Sequence, residues 1–174
     1  MLKNKIAVIL VIVILLSTIG GYMVMYGGAY NISATDEHFA ITLWAIENMR
    51  DGSIKSRAKS EEPPPDLKSP ENVMGGFKLF DKHCIVCHGA PGIQSEDFAE
   101  GLYPTAPALA EEIDEWTIKE LFWITKNGIK MTGMPAFGDI MQDKAIWKIT
   151  AFLDTLPELG YYGYLEFRDS AKTQ

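Results

Sequence analysis

An all-α architecture follows from three features of the sequence. One long apolar run lies near the start, each later segment carries helical periodicity, and no stretch shows convincing strand alternation. The expected arrangement is a single N-terminal transmembrane helix joined to one small helical domain. At 174 residues the chain has room for one ordinary domain with accessory segments, and none for large multidomain catalysis. Two cysteines exclude a disulfide-dense scaffold and leave one bridge or one thiol-dependent site.

The apolar run, IAVILVIVILLSTIGGYMVMY, occupies residues 6–26, and no charge appears between Ile6 and Asp36. As a helix it spans about 31 Å, close to the hydrocarbon thickness of a bilayer. A signal peptide competes with this reading, because Gly27 and Ala29 are small residues suited to cleavage. The run outgrows the ~7 to 15 residues of a signal core, which favours a retained anchor over residues 1–30. Lys3 and Lys5 precede it, so the positive-inside rule places the N-terminus in the cytoplasm and residues 31–174 on the opposite side. Tyr22, Tyr26 and Tyr30 mark the outer interface.

Beyond residue 30 the chain carries 14 of its 16 basic side chains against all 23 acidic ones, a balance of −9. That surface does not suit a nucleic acid, which needs a basic stripe to displace counterions.

Residues 31–50 form a juxtamembrane segment in which 34–50 read as a short amphipathic helix. Thr35 is its expected N-cap, and Phe39, Leu43 and Ile46 share one face, set against the membrane, a partner or the domain itself. Residues 51–69 are polar and interrupted by Pro63, Pro64 and Pro65, the pattern of a semi-rigid extended spacer with a domain boundary near Ser69.

Three helical segments follow within a domain over residues 70–158. The first starts at Ser69 with Pro70 in the first helical position and runs through Phe77 and Phe80 toward Cys84. The second opens with a capping box, Thr117-Ile118-Lys119-Glu120, stapled by Trp116 and Leu121, and ends near Gly128. The third covers about 143–156 and buries Ile146, Ile149 and Leu153, with Trp147 and Phe152 flanking them. An aromatic tail, residues 159–174, holds Tyr161, Tyr162, Tyr164 and Phe167, which either fold back on the domain or meet a partner.

The chemistry concentrates in Cys84-Ile85-Val86-Cys87-His88. On a helical turn, residues three apart share a face, so both thiols reach the two vinyl groups along one side of a porphyrin. His88 then presents its imidazole to the iron, and Cys-x-x-Cys-His reads as covalent attachment of one c-type haem. Two rivals are weaker. A thioredoxin-like pair wants a βαβ setting that the sequence lacks, and a structural zinc site usually draws on a second ligand pair. The 88 residues from Ser69 to Leu156 also make a modest core, which a large apolar cofactor would complete.

A sixth ligand is sought 46 residues further on, at Met134 in Gly133-Met134-Pro135-Ala136-Phe137-Gly138. Pro135 biases Met134 toward extended backbone, and Gly133 permits close approach to a flat ring. Met131 is the second candidate and lacks the restraining proline.

With these motifs, residues 72–156 resemble the class I monohaem cytochromes c, and more closely the membrane-tethered bacterial ones. Gly76 and Phe80 stand eight and four residues before Cys84, as in that family's first helix, where they pack on an aromatic of the last helix, here Trp147 or Phe152. Leu121-Phe122-Trp123-Ile124, Gly128 and the Met134 loop look like its ligand region. The resemblance implies an all-α fold around one low-spin His/Met haem, with Cys84, Cys87, His88, Leu109, Met134, Pro135 and Phe137 about the cofactor. It further implies a proline carbonyl orienting the proximal imidazole, from Pro107 or Pro104.

The functional expectation is a one-electron carrier on the periplasmic side of a bacterial membrane. It would exchange electrons with a respiratory membrane complex or redox protein, as a free shuttle or a subunit, with no small-molecule substrate. A haem enzyme with a labile sixth ligand and a haem-free thiol-disulfide protein are the alternatives. Lys78, Lys82, Lys126 and Lys130 flank the haem segments, while Glu111, Glu112, Asp114 and Glu115 cluster elsewhere, a pattern that would orient docking. His83 is expected on a helix surface and His38 at an interface.

Overall fold

The computed structural model describes residues 2–173, with side chains from residue 3 onward, and among the described residues every regular element is helical. The chain divides into two compact units, Met1–Glu37 and His38–Gln174.

In the first unit, α1 spans Leu2–Tyr26. Its stretch Lys3–Tyr26 has a mean hydropathy of 2.6 with none of it buried, long and apolar enough to cross a membrane. Thr18, the polar interruption, returns its hydroxyl to the Ile14 carbonyl at 2.8 Å, so no side-chain donor is left open there. Asn31 and Asp36 close a polar turn at 2.9 Å.

The second unit starts with α2, Ala40–Arg57. This helix begins later and ends later than the sequence suggests. Thr35 caps nothing: its hydroxyl lies 2.7 Å from that of Ser33 within a turn, and Phe39 lies at the helix N-cap. At the other end the helix runs through Gly52 and Ser53 because Ile54 and then Ala58 are buried, each 2% exposed. The expected spacer over residues 51–69 is therefore no free linker. Leu67 is also buried, packed with Phe122, Ile146 and Trp147, and Lys119 pairs with Glu62 at 2.8 Å. Burial of Ile54 and Ala58 outweighs the breaking tendency of Gly52, while the three prolines lie in non-helical backbone after the helix has ended.

The core forms where α3 (Pro70–His83) crosses α7 (Asp143–Leu153). Ser69 caps α3 by accepting the Asn72 amide, and Pro70 fills its first turn. The crossing is close because Gly76 lacks a side chain: a Cβ there would run into the Lys148 backbone and the Phe152 Cβ. Phe80 meets Phe152 with ring centroids 5.2 Å apart. Trp147 instead lies flat on Phe122 of α6 (Ile118–Asn127), at 3.8 Å and 11°. Of the two aromatics offered by sequence, Phe152 is thus the partner of the Gly76 and Phe80 face.

Both arms of the α6 capping box are present, joining Thr117 and Glu120. The tail is a helix, α8 (Tyr161–Lys172), which folds back on the domain. Tyr164 is fully buried against Phe77, and Phe167 packs beside it, while Tyr161 and Tyr162 stay exposed.

Candidate functional site

The cysteine-histidine string forms a single turn at the end of α3. After His83 the chain passes through Cys84 into α4, Ile85–His88. The amides of Cys87 and His88 both donate to the Cys84 carbonyl, at 3.1 and 3.0 Å. This winding brings the two thiols onto one turn, with Cys84 buried in the core beside Phe80 and Cys87 half-buried. Burial, reinforced by neighbouring Cys87, pushes the Cys84 thiol up to about 12, so it stays protonated.

Gly89 stops the turn with φ +62, where a Cβ would meet the Ile93 carbonyl oxygen at 2.6 Å. Ala90 and Ile93 then exchange backbone hydrogen bonds of 2.9 and 2.8 Å, and the Glu96 amide returns to Val86 at 3.0 Å. The loop after His88 is therefore pinned to the turn before it.

His88 Nδ1 lies 2.9 Å from the carbonyl oxygen of Pro107. A carbonyl only accepts, so Nδ1 carries the proton and Nε2 keeps its lone pair. Burial holds the imidazole below its ordinary range, partly offset by the Pro107 bond, which favours the neutral, metal-ligating form. The contact falls on Pro107 and not Pro104. Two residues on, half-buried Leu109 opens α5 (Leu109–Glu112) and packs against the cluster that contains Cys84.

The methionine segment is a second pinned loop. Gly128 ends α6 at φ +65, and a Cβ there would meet the Met134 carbonyl oxygen at 2.7 Å. The Ile129 amide donates to that oxygen at 3.3 Å. Thr132 bridges the turn, its hydroxyl donating to the Ile129 carbonyl at 2.8 Å and accepting the Met134 amide at 3.0 Å. Met134 is half-buried and fixed on both sides, whereas Met131 is 71% exposed with φ 62. Pro135 is exposed and Phe137 buried, the latter edge-on to His83 at 6.1 Å. His83 is thus half-buried between α3 and the loop after Met134, not a free surface residue.

Sequence reasoning missed Leu102 and Tyr103. A Cβ on Gly133 would come within 2.8 Å of Leu102, so this loop abuts the methionine segment. The Tyr103 hydroxyl accepts the His38 amide at 2.9 Å, and its ring lies edge-on to the His38 imidazole. No local pattern announces contacts of such sequence separation. Of the four lysines near these segments, Lys78, Lys82 and Lys130 are exposed, while Lys126 pairs with Asp143 at 2.8 Å and sits over the Phe122 ring.

These residues fit an iron porphyrin by the chemistry of their donors. Two thiols share one turn, a neutral imidazole has its second nitrogen engaged, and a thioether stands on a restrained loop. Among the described residues no cluster of three His, Cys, Asp or Glu side chains could hold a bare metal ion, which fits the zinc alternative poorly.

The family model described as cytochrome C oxidase, cbb3-type, subunit III matches residues 71–153, just under half of the chain. Neither the comparison with curated proteins nor that with solved structures returned a match. Motif, helical fold and family match agree on the same segment: residues 71–153 form a class I c-type cytochrome domain, whose cofactor is haem c and whose chemistry is haem-based electron transfer.

Proposed function

We propose that the protein is a membrane-tethered one-electron carrier with a single covalent haem c. The observation that carries this reading is the Cys84-to-His88 turn with Nδ1 of His88 engaged by Pro107. Cys84 and Cys87 would hold the porphyrin through two thioethers, and His88 and Met134 would ligate its iron. Bound there, haem c supplies a reversible one-electron couple. The Pro107 carbonyl fixes the tautomer and rotation of the imidazole and makes it a better donor. Thr132 and Gly128 hold the Met134 backbone, and the buried Phe80, Phe152 and Phe137 exclude water beside the site. A neutral His and Met pair raises the potential relative to two nitrogen ligands.

With His88 and Met134 both ligating, no position would remain at the iron for a substrate, and Met134→Ala would free one. The ferrous variant is expected to bind carbon monoxide and the unmodified protein to refuse it; uptake by the unmodified protein would favour a haem enzyme with a labile ligand.

The apolar α1 supports a single-pass anchor through residues 6–26, with Lys3 and Lys5 on the cytoplasmic side and the haem domain on the periplasmic side. Reactive exchange then runs with a membrane respiratory complex or another redox protein. Exposed Lys78, Lys82 and Lys130 would orient that encounter. Lys126, already paired with Asp143, contributes little to it. Copurification in mild detergent distinguishes a fixed subunit from a free shuttle, and an electron-transfer rate indifferent to ionic strength would remove the role of the lysines.

A further inference from the structure

Leu102 is a half-buried leucine whose side chain is not spent on the core: among the described residues it joins neither of the two apolar clusters. It rests instead on Gly133, where a Cβ would lie 2.8, 3.2 and 3.5 Å from Leu102 Cδ2, Cδ1 and Cγ. Gly133 lies outside the left-handed region, so room for Leu102 and not backbone conformation accounts for the glycine. The contact falls on the residue next to Met134.

The hydrogen bonds among Ile129, Thr132 and Met134 are internal to the methionine loop. They set its shape and leave its distance from His88 to other contacts. Leu102 is placed to supply one, because a ladder of backbone bonds ties it to the Cys84-to-His88 turn. The Glu96 amide donates to Val86, between the two cysteines, at 3.0 Å; the Ala99 amide donates to Glu96 at 2.8 Å; the Leu102 amide donates to Ala99 at 3.1 Å. Ala99 is buried, so the turn Asp97–Gly101 is packed down and resists swinging away. The next residue, Tyr103, accepts the His38 amide at 2.9 Å, which fixes the segment at its other end.

We propose that Leu102 is a positioning residue for the Met134 ligand: carried by residues 96–103, it braces Gly133 and sets the methionine loop against the turn that bears His88. This role rests on the reading of Met134 as a ligand to the iron. Loss of the brace would let the Met134 thioether leave more often while Cys84 and Cys87 keep the cofactor attached.

Imidazole uptake by the ferric holoprotein, followed by absorbance in the full chain, tests it, because added imidazole binds only when Met134 lets go. Leu102→Ala should take up imidazole about tenfold faster than the parent, with Leu102→Val between the two. Leu102→Ile refills the space and should return the rate to near that of the parent. Ile54→Ala, which truncates a buried side chain outside both core clusters, controls for general loosening and should leave the rate unchanged. A parent rate in Leu102→Ala and Leu102→Val, no rescue in Leu102→Ile, or an equal rise in Ile54→Ala overturns the role of Leu102 and leaves Met134 standing as a ligand. A parent that takes up imidazole as fast as Met134→Ala overturns the ligand itself, and the brace with it.

Discussion

The Tyr164 hydroxyl donates to Asp81 Oδ1 at 2.9 Å, tying α8 to α3 three residues before Cys84. Arg168 completes the link with a 2.9 Å ion pair to the same oxygen. Burial, followed by the Asp81 carboxylate, pushes the Tyr164 phenol above its ordinary range, so the folded state favours the protonated ring. The sign is fixed: this contribution is complete below about pH 10, the ordinary tyrosine value, and is lost as pH climbs above it. Tyr164→Phe should lower stability by about 1 kcal/mol near neutrality. It should also flatten the alkaline fall in melting temperature, and an unchanged fall in the variant would assign that titration elsewhere.

Ile54→Ala separates a packed strap from a linker. Removing the side chain from a fully covered site should cost ~2–5 kcal/mol in denaturant unfolding of the holoprotein. A free spacer would show almost no change.

Gly76→Ala adds one methyl group where the Lys148 backbone and Phe152 already stand. Overpacking of this kind costs ~1–3 kcal/mol or more, because backbone must move. The expected result is poor accumulation of holoprotein, whereas Gly52→Ala, at an open position on α2, should be harmless or slightly stabilising.

Thr132→Val keeps the shape of the methionine loop and removes the hydroxyl that serves Ile129 and Met134. The methionine-to-iron charge-transfer band should weaken and disappear at a lower temperature than in the parent, with the covalent haem retained. Equal thermal loss in both proteins would show that Thr132 does not support the ligand.

What could be read in advance followed local rules. Ser69 and Pro70 start α3, the Thr117 and Glu120 box starts α6, and Gly128 ends it, because caps and left-handed stops act within four residues. The Cys84-to-His88 spacing was legible for the same reason. The α2 boundaries were not: Thr35 and Gly52 speak locally for a cap and a break, while burial of Ile54 and Ala58 carries the helix on to Arg57, and burial of Leu67 ties the segment beyond the prolines to the domain. Likewise the approach of Leu102 to Gly133, and of Tyr161 to Gly92, depends on how distant segments fold together. The choice of Phe152 over Trp147 was decided by the α3 and α7 crossing, a tertiary relation that single residues do not encode.

The most direct measurement is an absorption spectrum of the purified full chain before and after acid-acetone extraction. The account predicts that the pigment stays on the polypeptide and that the intact ferric protein shows the methionine-to-iron band. Extraction of the pigment, or a chain matured with complete haem-attachment machinery that carries none, would contradict it.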